Sequence, residues 1–508
     1  MKLLPLRRRP VPSANDRRRR ARLHVEQLEA RLLLYAADLL ATKEYDPGHI
    51  LVGDTAGQVQ MIELPAGTTV AEALDAYAAS SGVAFVEPDY VVQTAVIPTD
   101  TSFGSLYGLN NTGQTVSGVT GIVDADIDAP EAWDVSHGST HVTVGIIDTG
   151  IDYTHPDLYL NVWINQDEIP AAIRSILTDT DGDGLITFYD LNQPANQGPG
   201  KISDFNANGR IDGGDLLNNA SGWEDGIDED PYVVGGSTIH RVDDVIGWDF
   251  ANNDNDPRDD NNHGTHVAGT IGAIGNNGLG VAGVNWQVLM AGLKFLSSSG
   301  TGTISAAQAA LDYATGNGFK ITNNSWGGGG FSSAFSAALD RASAAGAIFV
   351  VAAGNSGNNI DLLPSYPASY TQSNIISVAA SDNRDRLASF SNYGATSVDL
   401  AAPGVSILST VPGGYASFSG TSMATPHVAG AAALVWAAHP EWTSTQVISS
   451  ILDTADVLGT LLGRVATDAR LNVNDAVRTE FGPPPPDTAG PRVIAADASG
   501  STSASSVR

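Results

Sequence analysis

The chain reads as an α/β protein: a three-layer α/β/α sandwich around a mostly parallel sheet, preceded by a small α/β unit. Three observations predict this. The segments HVTVGIIDTG, VLMAGLKFL, GFKITNNSWG, AIFVVAAGN and IISVAAS are near-continuously apolar, as strands covered on both faces are. Glycine turns and alanine-rich helical stretches separate them, the alternation that builds a parallel sheet. The stretch from Ser422 to about Ala438 is small and apolar nearly all round, which predicts a central, buried helix.

Taken in order, residues 1–42 do not read as a domain. An arginine-rich start leads into VEQLEARLLLYAADLL, an apolar run that is short and interrupted by Asp38, with no A-x-A cleavage pattern after it. The segment resembles the LEPR-XLL type of N-terminal motif of large exported bacterial proteins, with Ala30 in place of that motif's proline. Export is expected, with a disordered basic arm as the alternative.

Residues 43–97 form a small α/β pattern. GHILVG and VQMIEL alternate like strands, TVAEALDAYAAS is an amphipathic helix opened by Thr69, and VAFVEPDYVVQ ends as a strand. After the loose linker AVIPTDTS, residues 104–480 carry the repeated strand–turn–helix pattern. Residues 481–508 form a tail that opens on the stiff polyproline linker GPPPPD.

Charge narrows the partners. The net charge is −30, yet ten of the 26 basic residues lie in the first 31 positions against three acids, leaving 16 basic and 53 acidic residues beyond. Nucleic acid is not expected as a partner for such a body, because its phosphates are repelled. Cations, calcium above all, are favoured. Cysteine is absent, which excludes disulfides, thiolate metal sites and thiol nucleophiles. No apolar stretch reaches the ~18 residues that span a bilayer, so no transmembrane segment is expected.

Four segments carry chemistry. VGIIDTGID places Asp148 at the C-terminal end of an apolar strand, HGTHVAGT places His263 at a helix start, and GTSMATPHVAG places Ser422 on a glycine-flanked turn into the buried helix. In open parallel sheets, sites form outside the carboxyl ends of the strands, where these segments meet. A serine hydroxyl is a weak nucleophile and needs an adjacent base, usually imidazole. The imidazole needs a carboxylate to hold its tautomer and stabilise the imidazolium. AAGNSG supplies Asn355, whose amide can donate to an oxyanion together with the Ser422 backbone N–H.

IIDTGIDYTHPDL, HGTHVAGT, AAGN and GTSMATPHVAG, in the order Asp, His, Ser, resemble the signature blocks of the subtilisin family of serine peptidases over residues 104–480. The resemblance implies Asp148 as orienting carboxylate, His263 as general base, Ser422 as nucleophile and Asn355 as oxyanion donor, with His266 structural. It implies a substrate cleft with Ser325, Trp326 and Gly327 on one side and Ala352, Ala353 and Gly354 on the other. Ser365 falls where relatives often have glycine at the pocket base, which disfavours large aromatic P1 side chains. Residues 43–97 resemble the family's inhibitory propeptide, a permanent N-terminal domain being the alternative.

The interval between Asp148 and His263 is longer than in compact members and holds an insert at 165–232. DTDGDGLITFYD sets Asp179, Asp181, Asp183 and Asp190 at loop positions 1, 3, 5 and 12. DFNANGRIDGGD repeats this 25 residues on with Asp204, Asn206, Asn208 and Asp215, adding Asp212 at position 9. Each has glycine at position 6, the spacing that gathers hard oxygen ligands around one cation. Both loops resemble those of dockerins and EF-hands, which implies calcium. Asp157 and Asn277 match residues of the subtilisin family's strong calcium site. Asp254 and Asp259, in the acidic run before His263, form another candidate pair, with a solvated turn as the alternative. A secreted or cell-surface, monomeric, calcium-dependent endopeptidase acting on peptides and held by its own prodomain is expected. A silent scaffold, or a binding module built on the insert, are the rivals.

Overall fold

The computed structural model describes residues 45–481 apart from 56–57, 66, 79, 81 and 91–96. The expected export segment 1–42 and the tail from 482 therefore lie outside the described residues, as do residues 95 and 96 at the start of the linker AVIPTDTS.

The first unit is a three-stranded antiparallel sheet under one helix. Strands β1 (Tyr45–Asp54), β2 (Val59–Glu63) and β3 (Val83–Tyr90) order as β2-β1-β3. Helix α1 (Val70–Ala78) starts at a capping box, in which the Thr69 backbone N–H donates to Glu72 at 2.9 Å and the Glu72 N–H to Thr69 Oγ1 at 3.3 Å. Ile50 and Val52 face this helix, with Val70 and Ala73 closing a small core.

The main sheet has nine strands. In chain order these are β4 (Gly138–Asp148), β5 (Gly247–Asp249), β6 (Gln287–Lys294), β7 (Ile321–Asn324), β8 (Ile348–Ala352), β9 (Ile375–Ser381) and β10 (Leu400–Pro403). After a separate hairpin of β11 (Ile407–Val411) and β12 (Gly414–Phe418) come β13 (Asp456–Val457) and β14 (Ala469–Arg470). Their order is β13-β14-β10-β9-β8-β7-β4-β6-β5, parallel except for the β13–β14 pair. The chain leaves β4 toward β6 on one side and returns to β7 on the other, so β4 stands at the topological switch point, where sites form.

Helices cover both faces. On one, α2 (His263–Gly272) and α5 (Thr421–Ala438) pack into a core with Val144, Ile146, Val350 and Val378. On the other, α3 (Ile304–Gly316) and α4 (Ser333–Ala344) cover Leu289, Leu293, Phe349 and Val351. Helix α5 is buried from Thr421 through Trp436 except at Ser422, as its all-round apolar sequence predicts.

The insert builds a satellite core of its own from Ile164, Ile169, Ile186, Phe188, Leu191, Ile211, Leu216 and Trp223, which reaches on to Val245 and Ile246. The 25-residue sequence repeat survives in space. The Ile186 backbone is held at both N–H and C=O by the Gln166 side chain, at 2.9 and 2.9 Å. The Ile211 backbone is held in the same way by Asn192, at 2.8 and 2.8 Å.

Candidate active site

Asp148 is the last residue of β4, and the strand's apolar run carries its carboxylate into the interior at the carboxyl edge of the sheet. The N-terminus of α2 is then brought to it. Gly264 passes so close to Gly150 that a Cβ would lie 2.1 Å from the Gly150 carbonyl oxygen, an approach only glycine allows. Buried Asp259 holds the two segments together. Its Oδ1 accepts from Thr149 Oγ1 at 2.9 Å, and its Oδ2 accepts from the Thr265 N–H and hydroxyl at 2.9 and 2.6 Å. Thr149 Oγ1 in turn accepts from the Gly264 N–H at 2.8 Å.

The outcome is a 2.7 Å hydrogen bond between His263 Nδ1 and Asp148 Oδ1, which also accepts from the Thr149 N–H at 2.8 Å. With the proton held on Nδ1, Nε2 is left as the base. Burial pulls the His263 pKa down, but the Asp148 charge, its hydrogen bond and the Asp259 charge together leave it raised above the ordinary histidine value. His266 differs in every respect. It is fully buried, donates between the Ile407 and Ala416 carbonyls, stacks on Phe418, and is pushed down to about 4 by burial. It stays neutral and structural.

Ser422 is the second residue of α5. Pro426 lies four residues on and has no N–H, so the Ser422 carbonyl is released from the helix ladder. Ser325 Oγ takes it at 2.9 Å, while Ser422 Oγ donates to the Ser325 carbonyl at 2.9 Å. This reciprocal pair ties the nucleophile candidate to the end of β7. The Ser422 hydroxyl is thereby turned toward the Ser325 carbonyl.

Asn355 follows β8. Its Oδ1 accepts from the Thr421 N–H at 2.8 Å and the Thr421 hydroxyl at 3.0 Å, which fixes the amide and turns Nδ2 the other way. A Cβ at Gly420 would lie 3.4 Å from that Nδ2 and 3.6 Å from the Ser422 N. The two donors thus border one small space at the N-terminus of α5, whose dipole also favours negative charge. Replacing Asn355 with Ala is expected to lower kcat about 10²–10³-fold with little change in KM. Steady-state kinetics on a peptide amide check this, and an unchanged kcat would remove Asn355 from the site.

Strands β7 and β8 run parallel, with Asn324 beside Val351, so Ser325–Gly327 and Ala352–Gly354 emerge side by side next to Ser422. Ala352 and Ala353 are buried. Gly354 has φ +105, and a Cβ there would lie 2.5 Å from Asn392 Nδ2 and 3.4 Å from Ser365 Oγ. On the far side of Ser325–Gly329, a cleft of about 510 Å³ is closed by Thr149, His263 and the stretch Phe295–Ile304. Trp326 lies edge-on to Phe295 and Phe335 at 4.9 and 5.6 Å, which holds this wall upright.

Two supporting residues lie outside the catalytic motifs. Asp259 is expected from the sequence only as an ion ligand, yet five donors occupy its two oxygens; its placement four residues before His263 was the available signal. Lys294 ends β6 in register with Asp148, and its buried ammonium donates to the Thr149 carbonyl at 2.9 Å and to Asp260 at 2.6 Å. A single charge in the apolar run VLMAGLKFL was its signal.

The acidic loops fit a cation unequally. Asp179, Asp181 and Asp183 each offer a carboxylate oxygen within 4.8 Å of the others. Asp190 is turned away from them, its oxygens accepting from Thr180 and Thr187. In the second loop Asp204 accepts from the Gly209 N–H at 2.8 Å, and Asp215 from Phe205 and Asp212. Asn206 and Asn208 donate their amides to Asp212, at 3.0 and 2.6 Å. Asp157 accepts from Asn277 Nδ2 at 2.6 Å, from the Val281 N–H at 2.9 Å and from the Tyr415 hydroxyl at 3.1 Å. Asp100, which no sequence motif marks, stands beside this group with an unpartnered buried oxygen.

The family model described as "Subtilase family" matches residues 139–482. The chain is 34% identical over 398 residues to the Thermophilic serine proteinase of Bacillus sp. (strain AK1), covering 78% of this chain and 73% of that protein. It is 43% identical over 236 residues to Thermitase of Thermoactinomyces vulgaris, 46% of this chain and 81% of that one. It is 47% identical over 203 residues to Alkaline elastase YaB of Bacillus sp. (strain YaB), 40% and 52%. Among solved structures, a protease from Pseudoalteromonas arctica PAMC 21717 superposes with a TM-score of 0.50 at 25% identity, covering 75% of this chain and 99% of the other.

Proposed function

Because the chain belongs to the subtilase family and is a serine endopeptidase, we propose that it is an exported, calcium-stabilised proenzyme that removes its own residues 43–97. The observation that carries this reading is the 2.7 Å Asp148–His263 hydrogen bond, together with the Asn355 amide and the Ser422 N–H, which border one small space at the start of α5.

In the mechanism, a peptide lies as an added strand along Ser325–Gly327. Ser422 Oγ gives its proton to His263 Nε2 and attacks the scissile carbonyl. The oxygen becomes an oxyanion between the Asn355 amide and the Ser422 N–H. Asp148 stabilises the imidazolium, which protonates the leaving amine, and water releases the acyl group by the same steps.

Two features support a removable prosegment. The unit 45–90 has its own core, and one sheet face carries Val59, Met61 and Phe85, exposed by 56, 60 and 44%. An apolar face of this kind calls for a partner surface, and the catalytic body is the one in the same chain. Export rests on the N-terminal segment. Among the described residues no helix is long and apolar enough to cross a membrane. Asp179, Asp181 and Asp183, whose carboxylates converge, together with the repeat at 204–215 and the Asp157 group, would hold calcium, which would supply charge neutralisation and cross-linking in a chain without cysteine. The enzyme acts as a monomer on peptides, not on nucleic acid.

The test is to incubate the purified chain and follow the prosegment by mass spectrometry. Concentration-independent cleavage between Val92 and Ser102 supports self-processing; a chain that stays whole while hydrolysing peptides shows a permanent N-terminal domain. Ser365 against Gly354 narrows the pocket base, so small P1 side chains are preferred. Ser365→Gly is expected to raise kcat/KM for Phe over Ala at P1 by about tenfold. A ratio that does not move places the base of the pocket elsewhere.

A further inference from the structure

The insert carries a second gathering of acids, away from both sequence-repeat loops. Glu168, Asp228 and Asp230 each bring a carboxylate oxygen within 4.8 Å of the others. Glu168 follows the edge segment that pairs with the sheet, where the Trp163 N–H donates to the Met290 carbonyl at 3.0 Å and the Asn165 N–H to the Val245 carbonyl at 2.8 Å. Asp228 and Asp230 come from the loop that ends the insert. The group is therefore assembled from chain segments some sixty residues apart, which the sequence pattern does not join.

Glu168 and the Asp228 side chain are withdrawn from solvent, and Asp230 is half-buried. Glu168 is 1% exposed and the Asp228 side chain 6%. Asp228 Oδ1 is buried and accepts no hydrogen bond, an orphan acceptor that costs free energy unless something positive meets it. Backbone donors aim the rest: the Asp243 and Glu229 N–H groups reach the two Glu168 oxygens at 2.7 and 3.1 Å. Asn165 Nδ2 bridges Asp230 at 2.9 Å and a fourth acid, Asp244, at 3.3 Å; Asp244 is itself 1% exposed.

Positive charge is scarce around them. The His240 ring bonds Asp228 Oδ2 from the solvent side, and Arg241 is engaged over the Trp248 and Phe250 rings. Among the described residues no lysine or arginine pairs with Glu168, Asp228, Asp230 or Asp244.

We propose that Glu168, Asp228 and Asp230 form a calcium site that staples the two ends of the insert together at the edge of the catalytic sheet. All the donors are hard oxygens from three carboxylates, which suits calcium and excludes a thiolate or polyimidazole metal. An entry path exists, because Asn165 and Asp230 also line an open cavity of about 760 Å³ between the insert and α3. The site differs from the two repeat loops in kind. They close turns within twelve residues, whereas this one closes the whole insert, and clips over long loops stabilise most.

The experiment uses the full chain carrying Ser422→Ala, so that self-digestion does not intervene. Calcium equivalents are measured by calorimetric titration and by elemental analysis after gel filtration. Glu168→Gln and, separately, Asp228→Asn should each lose one equivalent relative to the parent. Asp181→Ala with Asp183→Ala should lose a different one, so that the combined variant loses two. Limited proteolysis of Glu168→Gln in calcium should open cuts near both 165–170 and 225–235 that the parent resists. Equal stoichiometry in parent, Glu168→Gln and Asp228→Asn overturns the proposal. Should the variants not fold, long-wavelength anomalous diffraction from crystals of the parent in calcium decides it. A peak ~2.3–2.6 Å from oxygens of Glu168, Asp228 and Asp230 supports the site. Carboxyl–carboxylate hydrogen bonds without a peak overturn it, whatever the repeat loops and the peptidase assay show.

Discussion

Replacing Ser422 with Ala is expected to reduce peptide hydrolysis by about a millionfold in kcat, a magnitude known from the relative subtilisin. The reason lies in the geometry of the α5 start. The Ser422 hydroxyl donates to the Ser325 carbonyl at the β7 end, and the Pro426 gap leaves the Ser422 backbone pinned by Ser325 whether or not the hydroxyl is present. Alanine removes the nucleophile and keeps the pin, so the fold should be unchanged by circular dichroism and melting temperature. In the same variant residues 43–97 should stay attached. Full processing of the purified variant without added protease would show that another enzyme, not Ser422, performs maturation.

Replacing Asp148 with Asn is expected to lower kcat about 10⁴-fold and to move the pH profile. Burial lowers the His263 pKa, and only the Asp148 charge and hydrogen bond, helped by Asp259, reverse this to a net rise. Catalysis needs the neutral ring, so in the parent kcat/KM should fall as pH drops through a value above the ordinary histidine pKa. With Asn at 148 the burial effect prevails, and the acid limb should move to lower pH while the plateau falls. The stability consequence has the opposite sense. A raised histidine pKa stabilises the folded state fully below the unfolded pKa of ~6.5 and loses that contribution as pH rises through the folded value. The variant should therefore lose stability relative to the parent at acid pH and less at alkaline pH. A pH–rate profile in which the acid limb stays in place would show that some group other than His263 controls it.

The supports of the site follow from the same logic. Asp259 and Lys294 touch neither substrate nor nucleophile, but they hold Thr149 and the α2 start against the end of β4. Their position explains why the stretch before His263 is rich in acids that bind protein donors, with Asp259 fully occupied by them.

How legible the molecule was varies with the range of the interactions involved. The strands β4, β6, β7, β8 and β9 and the helix α5 were readable because burial on all sides writes itself into a local, nearly uniform apolar run. The α1 start was readable from Thr69, since a capping box is complete within four residues. Asp148, His263, Ser422 and Asn355 stood out as candidates because each sits in a short segment rich in glycines and small residues, and the close approach of Gly264 to Gly150 shows one place where the backbone requires them.

Tertiary structure alone decided the rest. No local pattern could reveal that Ser325 and Ser422 exchange hydrogen bonds across the sheet, or that Gln166 and Asn192 clamp two isoleucines in equivalent ways. Nor could spacing reveal that Asp190 turns its carboxylate to Thr180 and Thr187 while Asp179, Asp181 and Asp183 converge. The Glu168–Asp228–Asp230 group is the extreme case. Its members are ordinary acids in the sequence, and only folding brings them together, with Glu168 buried and Asp228 and Asp230 half-buried, where water meets a carboxylate's need for a partner less well.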